Sequence, residues 1–360
     1  MFPRMRYASF ARTFPLLCAL LWARPARADR VDDYLKGEMT RRNIPGLALM
    51  VIHDGKTTRT STYGLANVEL NVPVTPETVF EIGSITKQFT ASGILLLVQD
   101  GKLSLDDPIR LHLKSCPAAW TNVTIRHLLT HTSGIKSYTP FPGFELRRHL
   151  TQQQFIETIS KQPMDFLPGD GWKYSNTGFS LLGYIIENVS GQNYWDYMAG
   201  CIFQPLGMTN TSDRSPGRMI PHRASGYEQT NHNLINRDSD LTDIFSAGAI
   251  ATTLGDLARW SAALDSDYPL SAANKHSMWA PTILNNGKPT NYGFGWYLDT
   301  LEGHKNIGHS GATSGFSASL QRFPDDHLAI ILLTNTDEQI ATVLAKKVAT
   351  FYFQSRAAPQ

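Results

Sequence analysis

The chain has 360 residues, 42% of them apolar and 18% charged, with 33 basic and 31 acidic side chains. This composition suits a globular protein of one large or two moderate domains, and the near-neutral balance without a basic cluster argues against a nucleic-acid partner. No repeat or low-complexity tract interrupts it.

Residues 1–28 differ in kind from the rest. Arg4, Arg6 and Arg12 precede the apolar run "FPLLCALLWA", and "RPARA" then places Ala26 and Ala28 where a cleavage site has small residues. This pattern predicts a secretory signal peptide cut near Ala28, and hence an exported protein. Its apolar core is about half the roughly 20 residues needed to cross a bilayer, so no stable membrane span is expected. Without these residues the chain keeps 28 basic and 31 acidic side chains, a net charge of −3. Two cysteines remain, Cys116 and Cys201, and sequence leaves open whether they pair.

After Asp29, Val31, Leu35 and Met39 recur at helical spacing until "NIPG". "LALMVIH", the Asp54-Gly55 turn and "KTTRTSTYG" predict a β-hairpin. A long apolar-striped helix follows, carrying Ile85, Phe89, Ile94, Leu95 and Val98 and closing at Gly101. Residues 105–245 hold little strand signal and several short helical pieces, among them "TIRHLLTH", "TQQQFIETISKQ", "GFSLLGYIIENVSG" and "NYWDYMAGCIF". The tail turns extended again through "YGFGWYLDT", "HKNIGHSGA", "FSASLQRF" and "HLAIILLTNT", and ends in the helix "DEQIATVLAKKVATFYF". Strands at both ends predict an α+β fold whose antiparallel sheet is completed by the two chain ends and flanked by helices. Residues 29–104 and 246–360 form the sheet part and 105–245 the inserted helical part of one domain. A cleft between the two is the expected place for a site.

The chemistry centres on Ser84 and Lys87. On a helix these positions share a face, so the amine can serve as base to the hydroxyl. A second SxxK string, Ser133 to Lys136, is split by Gly134, and its helix is not expected to continue. At a helix N-terminus the Ser84 N–H is available to an oxyanion, and the same field disfavours ammonium on Lys87. Lowering a lysine from about 10.4 to about 7 takes roughly 4 to 5 kcal/mol, of which a helix end supplies at most about 2. Burial and neighbouring donors have to provide the rest. Two other triplets complete the constellation. "YSN", Tyr174 to Asn176, lies in the loop "LPGDGWKYSNTGF", where the phenol, partly as phenolate beside Lys87, can pass protons. "HSG", His309 to Gly311, lies on an expected strand; His53-Asp54-Gly55 has the same pattern but sits in the hairpin turn.

With SxxK, YxN and HxG in this order, the chain resembles the serine β-lactamase and penicillin-binding-protein superfamily. The similarity is to the class C β-lactamase-like branch with DD-carboxypeptidases, D-aminopeptidases and related esterases. It extends to "TIRHLLTHTSGI", "PGDGWKYSNTGFSLLGYIIENVSG", "PLGMTNT" and "SAGAIATTLGDLARW". The resemblance implies a hydrolase with Ser84 as acylated nucleophile, Lys87 and Tyr174 handling its proton, and Asn176 orienting the substrate amide or Lys87. It further implies that His309, Ser310 and Gly311 form the opposite wall and that the N–H groups of Ser84 and Ala312 form an oxyanion hole. Small peptides, esters or β-lactams are the implied substrates, with no cofactor and no metal; the oligomeric state is left open. Related enzymes carry SDN and KTG as second and third motifs. A histidine in place of the KTG lysine leads to the expectation of weak or absent β-lactamase activity. With an ordinary pKa near 6.5, His309 is also expected to titrate close to neutrality and to make carboxylate-bearing substrates pH-sensitive.

Three rival readings stand beside this one. "GHSGA" approximates the GxSxG elbow of α/β-hydrolases, which would make Ser310 the nucleophile, but only His327 follows it. "HLLTH" spaces His127 and His131 like a zinc-binding HExxH helix without its Glu, and packed or capping histidines are the plainer reading. The third is a penicillin-recognising binding protein without turnover.

Overall fold

The computed structural model describes residues 29–140, 150–230, 233–237, 240–242 and 244–357, so the expected signal peptide lies outside the described residues. Helix α1 (Arg30–Arg42) starts where the Asp29 carboxylate accepts from the Val31 N–H and stops at Asn43, whose φ of 50° ends the helical backbone. The hairpin follows as β1 (Gly46–His53) and β2 (Lys56–Asn67). Asp54 and Gly55 both take positive φ, as a tight turn matched to the twist of its strands demands. Then come β3 (Val72–Pro73), β4 (Phe80–Glu81) and α2 (Thr86–Gln99).

Residues 105–245 contribute α3 (Ile125–Leu129), α4 (Gln152–Ser160), α5 (Asn176–Ser190) and α6 (Tyr194–Met198). The same stretch holds strands that its sequence barely signals: β5 (Ser212–Asp213) and the hairpin β6 (Tyr227–Thr230) with β7 (Asn233–Asn236). Next are β8 (Ile250–Thr252), α7 (Leu254–Ala263) and α8 (Ala272–Met278). The chain ends with β9 (Tyr297–Leu301), β10 (His304–Thr313), β11 (Phe316–Phe323), β12 (Leu328–Thr334) and α9 (Ala341–Ala357). The strand expected over "YGFGWYLDT" therefore begins only at Tyr297. Upstream, Gly293 comes against the Met278 carbonyl and Gly295, at φ +79°, against that of Lys87, which bends the segment out of the pleat.

The seven-stranded antiparallel sheet runs β3-β2-β1-β12-β11-β10-β9, so β1 pairs with β12 and joins the two ends of the chain. Alternation along β1 explains the layering. Leu47, Leu49 and Val51 pack with Val31, Leu35, Leu344 and Val348 of the terminal helices, whereas Ala48 and Met50 face the larger core around Phe89, Ile94 and Trp260. Helix α2 is buried almost throughout, with α5 and α8 packed against it. Cys116 and Cys201 are both free thiols, and burial pushes Cys116 up to about 11. No helix among the described residues is long and apolar enough to cross a membrane.

Candidate active site

Ser84 sits in a short 3-10 turn, Gly83–Ile85, that leads into α2 at Thr86. The helix proper thus begins two residues after Ser84, one past the first residue of its apolar stripe. Lys87, in the first turn of α2, is fully buried. Its Nζ lies 3.0 Å from Ser84 Oγ, 2.7 Å from Asn176 Oδ1 and 2.7 Å from the Ala247 carbonyl oxygen. The faces of Tyr174 and Phe179 close over it at 4.9 and 5.5 Å. Burial drives the Lys87 pKa well below the ordinary lysine value, which is the contribution that the helix end could not supply.

The second triplet straddles a loop and a helix start. Ser175 caps α5 through the Gly178 N–H, which makes Asn176 the first helical residue. The Asn176 amide is oriented at both ends, with Oδ1 accepting from Lys87 and Nδ2 donating to Thr139 Oγ1 at 3.0 Å. Tyr174 has a buried hydroxyl that lies near Ser84 without closing a hydrogen bond to any described residue. Burial pushes this phenol well above its usual pKa, and Ser84 offsets only part of that rise. The expected phenolate is thereby corrected to a neutral phenol, because an aromatic pocket gives the anion no solvation.

The third triplet lies on β10, which crosses the Ser84 turn in backbone contact. A Cβ on Gly311 would stand 1.8 Å from the Ile82 carbonyl oxygen and 3.2 Å from Ser84 N, and one on Gly83 would stand 2.5 Å from Ala312 N. Only glycine at both positions lets the Ala312 amide come this close to the serine. Strand β9 pairs with β10 from His304 to Gly308 alone, so the outer edge of β10 beyond Gly308 is left without a partner strand. Ser310 is exposed in mid-strand, not on a strand-to-helix elbow, which removes the α/β-hydrolase reading. The Ser133 hydroxyl accepts from the Ile135 N–H and Lys136 pairs with Asp165, so the second SxxK string brings no serine and lysine together. His127 caps α3 together with Thr124, and His131 is buried among aromatic rings.

His309 departs most from its expectation. Its ring is 2% exposed and its pKa falls to about 3, chiefly through burial and secondarily through the field of Lys87. Nδ1 lies 2.6 Å from the Ser310 carbonyl oxygen, which can only accept, so Nδ1 carries the proton. Nε2 then accepts from the Tyr292 hydroxyl at 2.9 Å. The imidazole is neutral at physiological pH and does not titrate near neutrality as its unperturbed pKa suggests. Tyr292, the acceptor carbonyl of Ala247 and Thr139 are site residues that the three motifs did not reveal. Ala247 and Tyr292 lie in the glycine-marked stretches "SAGAIA" and "NYGFGW", a signal of close backbone approach.

A turn-borne serine against a buried lysine, roofed by tyrosine and walled by a strand edge, is the arrangement of the serine β-lactamase and penicillin-binding-protein fold. Residues 31–351 match the Beta-lactamase family, and the chain belongs to it. A penicillin-binding protein of Bacillus subtilis (strain 168) is 34% identical over 300 residues, covering 77% of this chain and 65% of its own length. The chain thus spans just under two thirds of that relative. Among solved structures, an octameric penicillin-binding protein homologue from Pyrococcus abyssi has a TM-score of 0.78 and 29% identity, covering 90% of this chain and 77% of that one. A D-amino acid amidase from Ochrobactrum anthropi SV3, complexed with L-phenylalanine amide, has a TM-score of 0.77 and 26% identity, covering 91% of this chain and all of that one.

Proposed function

We propose that this chain is a serine hydrolase that works through an acyl-serine intermediate on small esters or on amides and peptides of the D-amino-acid type. The observation that carries the reading is the environment of Lys87 Nζ. A neutral amine has two N–H donors, and Asn176 Oδ1 and the Ala247 carbonyl, which only accept, use both. The lone pair is then left to Ser84 Oγ, 3.0 Å away.

In this mechanism Ser84 Oγ attacks the substrate carbonyl carbon while its proton passes to Lys87. The carbonyl oxygen becomes an oxyanion held by the N–H groups of Ser84 and Ala312. The intermediate collapses as the leaving alcohol or amine takes a proton from the neutral Tyr174 hydroxyl, which regains one from the Lys87 ammonium. Water then attacks the acyl-enzyme, its proton returning through the same pair, and the products are the acid and the alcohol or amine. The open edge of β10 from His309 to Ala312 suits an extended substrate that adds itself as a further strand. The D-amino acid amidase likeness favours the amide branch.

A neutral His309 offers no cation to a substrate carboxylate, which favours uncharged esters and amides over β-lactams and free peptide C-termini. The kcat/KM ratio of a peptide ending in a carboxylate to a neutral nitrophenyl ester is therefore expected to stay constant from about pH 5.5 to 8, since the unperturbed pKa near 6.5 has been left far behind. His309→Lys should raise that ratio. A wild-type ratio that declines through about pH 6.5 would show a titrating imidazole in the cleft and refute the neutral assignment. A panel of chromogenic cephalosporin, D-Ala-D-Ala peptide, D-amino-acid anilide and short-chain nitrophenyl ester separates hydrolase from β-lactamase and from a binding protein that acylates without release.

Export after cleavage near Ala28 belongs to the same proposal. Mass spectrometry of the protein outside the cytoplasm should find Asp29 first, and a form that retains Arg4 to Arg12 counts against it.

A further inference from the structure

We infer that His131 is a positioning residue for Tyr174, fixing the loop that carries the phenol from both sides. The inference rests on the reading of Tyr174 as the proton carrier. His131 follows α3 with a backbone φ of +60°, a left-handed conformation that histidine visits more readily than most side chains. Its carbonyl oxygen accepts from the Lys173 N–H at 3.0 Å, and its ring Nδ1 accepts from the Ser175 N–H at 3.2 Å. The residues on either side of Tyr174 are thus both tied to one histidine. A backbone N–H can only donate, so Nδ1 is the bare nitrogen, the proton is on Nε2 and an imidazolium does not fit. The imidazole lies against the Tyr174 ring, with centroids 4.3 Å apart, and the Tyr292 ring backs it at 4.6 Å.

Neighbouring bonds continue the same grip. Thr132 O accepts from the Gly169 N–H, and Ser175 Oγ donates to Ile135 O. The segment 131–135 thereby fastens onto 169–175. One detail argues against simple packing. His131 is 1% exposed, yet its Nε2–H finds no hydrogen-bond partner among the described residues. A purely apolar ring would fill the space without leaving that donor unmet. What such a ring lacks is the acceptor at Nδ1.

The test uses His131→Asn, which tolerates the left-handed backbone and keeps a side-chain acceptor, and His131→Phe, which keeps a ring and loses the acceptor. Each is made in wild type and in Tyr174→Phe, with kcat and KM read on a nitrophenyl ester and folding checked by the melting temperature. In wild type, kcat is expected to drop about tenfold for Asn and about a hundredfold for Phe, with KM within about threefold, as for a misplaced catalytic group. In the Tyr174→Phe background both losses should vanish, because His131 acts only through that hydroxyl. Equal losses in both backgrounds, or a His131→Phe enzyme as fast as wild type, overturn the inference. If His131→Phe does not fold, the Asn pair decides by the same comparison. A Tyr174→Phe enzyme with unchanged kcat would instead overturn the reading of Tyr174 itself.

Discussion

Ser84→Ala is expected to abolish turnover on every substrate of the panel, with a loss on the order of 10⁶ in kcat, as when the nucleophile of a comparable acyl-enzyme mechanism is removed. The fold should survive it, since Ser84 is only partly buried in a short turn and the change deletes one oxygen. Intact-protein mass spectrometry gives the cleanest reading. A fluorophosphonate adduct should form on wild type and be missing from Ser84→Ala, while Ser133→Ala and Ser310→Ala still label. An adduct that moves to Ser310 would mean that the strand, not the turn, carries the nucleophile.

Lys87→Met carries the second large effect. It replaces the amine with an unbranched apolar chain in a fully buried pocket, and it removes the amine that lies 3.0 Å from Ser84 Oγ. General-base loss costs about 10² to 10⁴ in rate. Because Lys87 titrates well below its ordinary value, its protonation should produce the acid limb of the wild-type kcat/KM profile. Activity is lost as pH falls through that limb, and Lys87→Met should flatten it while lowering the plateau. If the variant keeps the limb, another group titrates there and the lone-pair assignment fails. The same depression makes a statement about stability. The folded chain binds fewer protons at this site than the unfolded chain, so the Lys87 contribution improves as pH rises from its folded value toward about 10.4.

The local chemistry of the site was legible in the sequence because it is written in short-range spacing. Ser84 and Lys87 are three residues apart on an apolar-striped segment, and Gly134 marks the competing string as broken. The apolar run "LALMVIH" and the Asp54-Gly55 pair ahead of "KTTRTSTYG" specified the first hairpin with its turn. What could not be read depends on groups distant along the chain. The neutrality of His309 is imposed by burial and by the field of Lys87, and the protonated state of Tyr174 by burial among the rings of His131, Tyr292 and His309. No spacing rule joins Lys87 to the Ala247 carbonyl 160 residues later. The bend at 292–296 was hidden for a different reason: aromatic residues favour strands, but the glycines between them yield to the backbones of Lys87 and Met278.

The pairing of β1 with β12 has a kinetic consequence. Leu47 lies opposite Thr334, roughly 290 residues away along the chain. Closing a loop of that length costs about 5 kcal/mol in chain entropy on the logarithmic law, before any contact of the ladder repays it. A chain emerging from the ribosome therefore holds its first hairpin with one flank bare until β12, roughly 290 residues later, has been made. Topologies dominated by such distant contacts assemble slowly, and bare strand flanks recruit other chains while they wait. The turn bearing Ser84 waits with them, because β10 reaches it only when the C-terminal strands have docked. Ser84 and the strand edge facing it thus come together late in assembly, which denies a half-made chain a finished site.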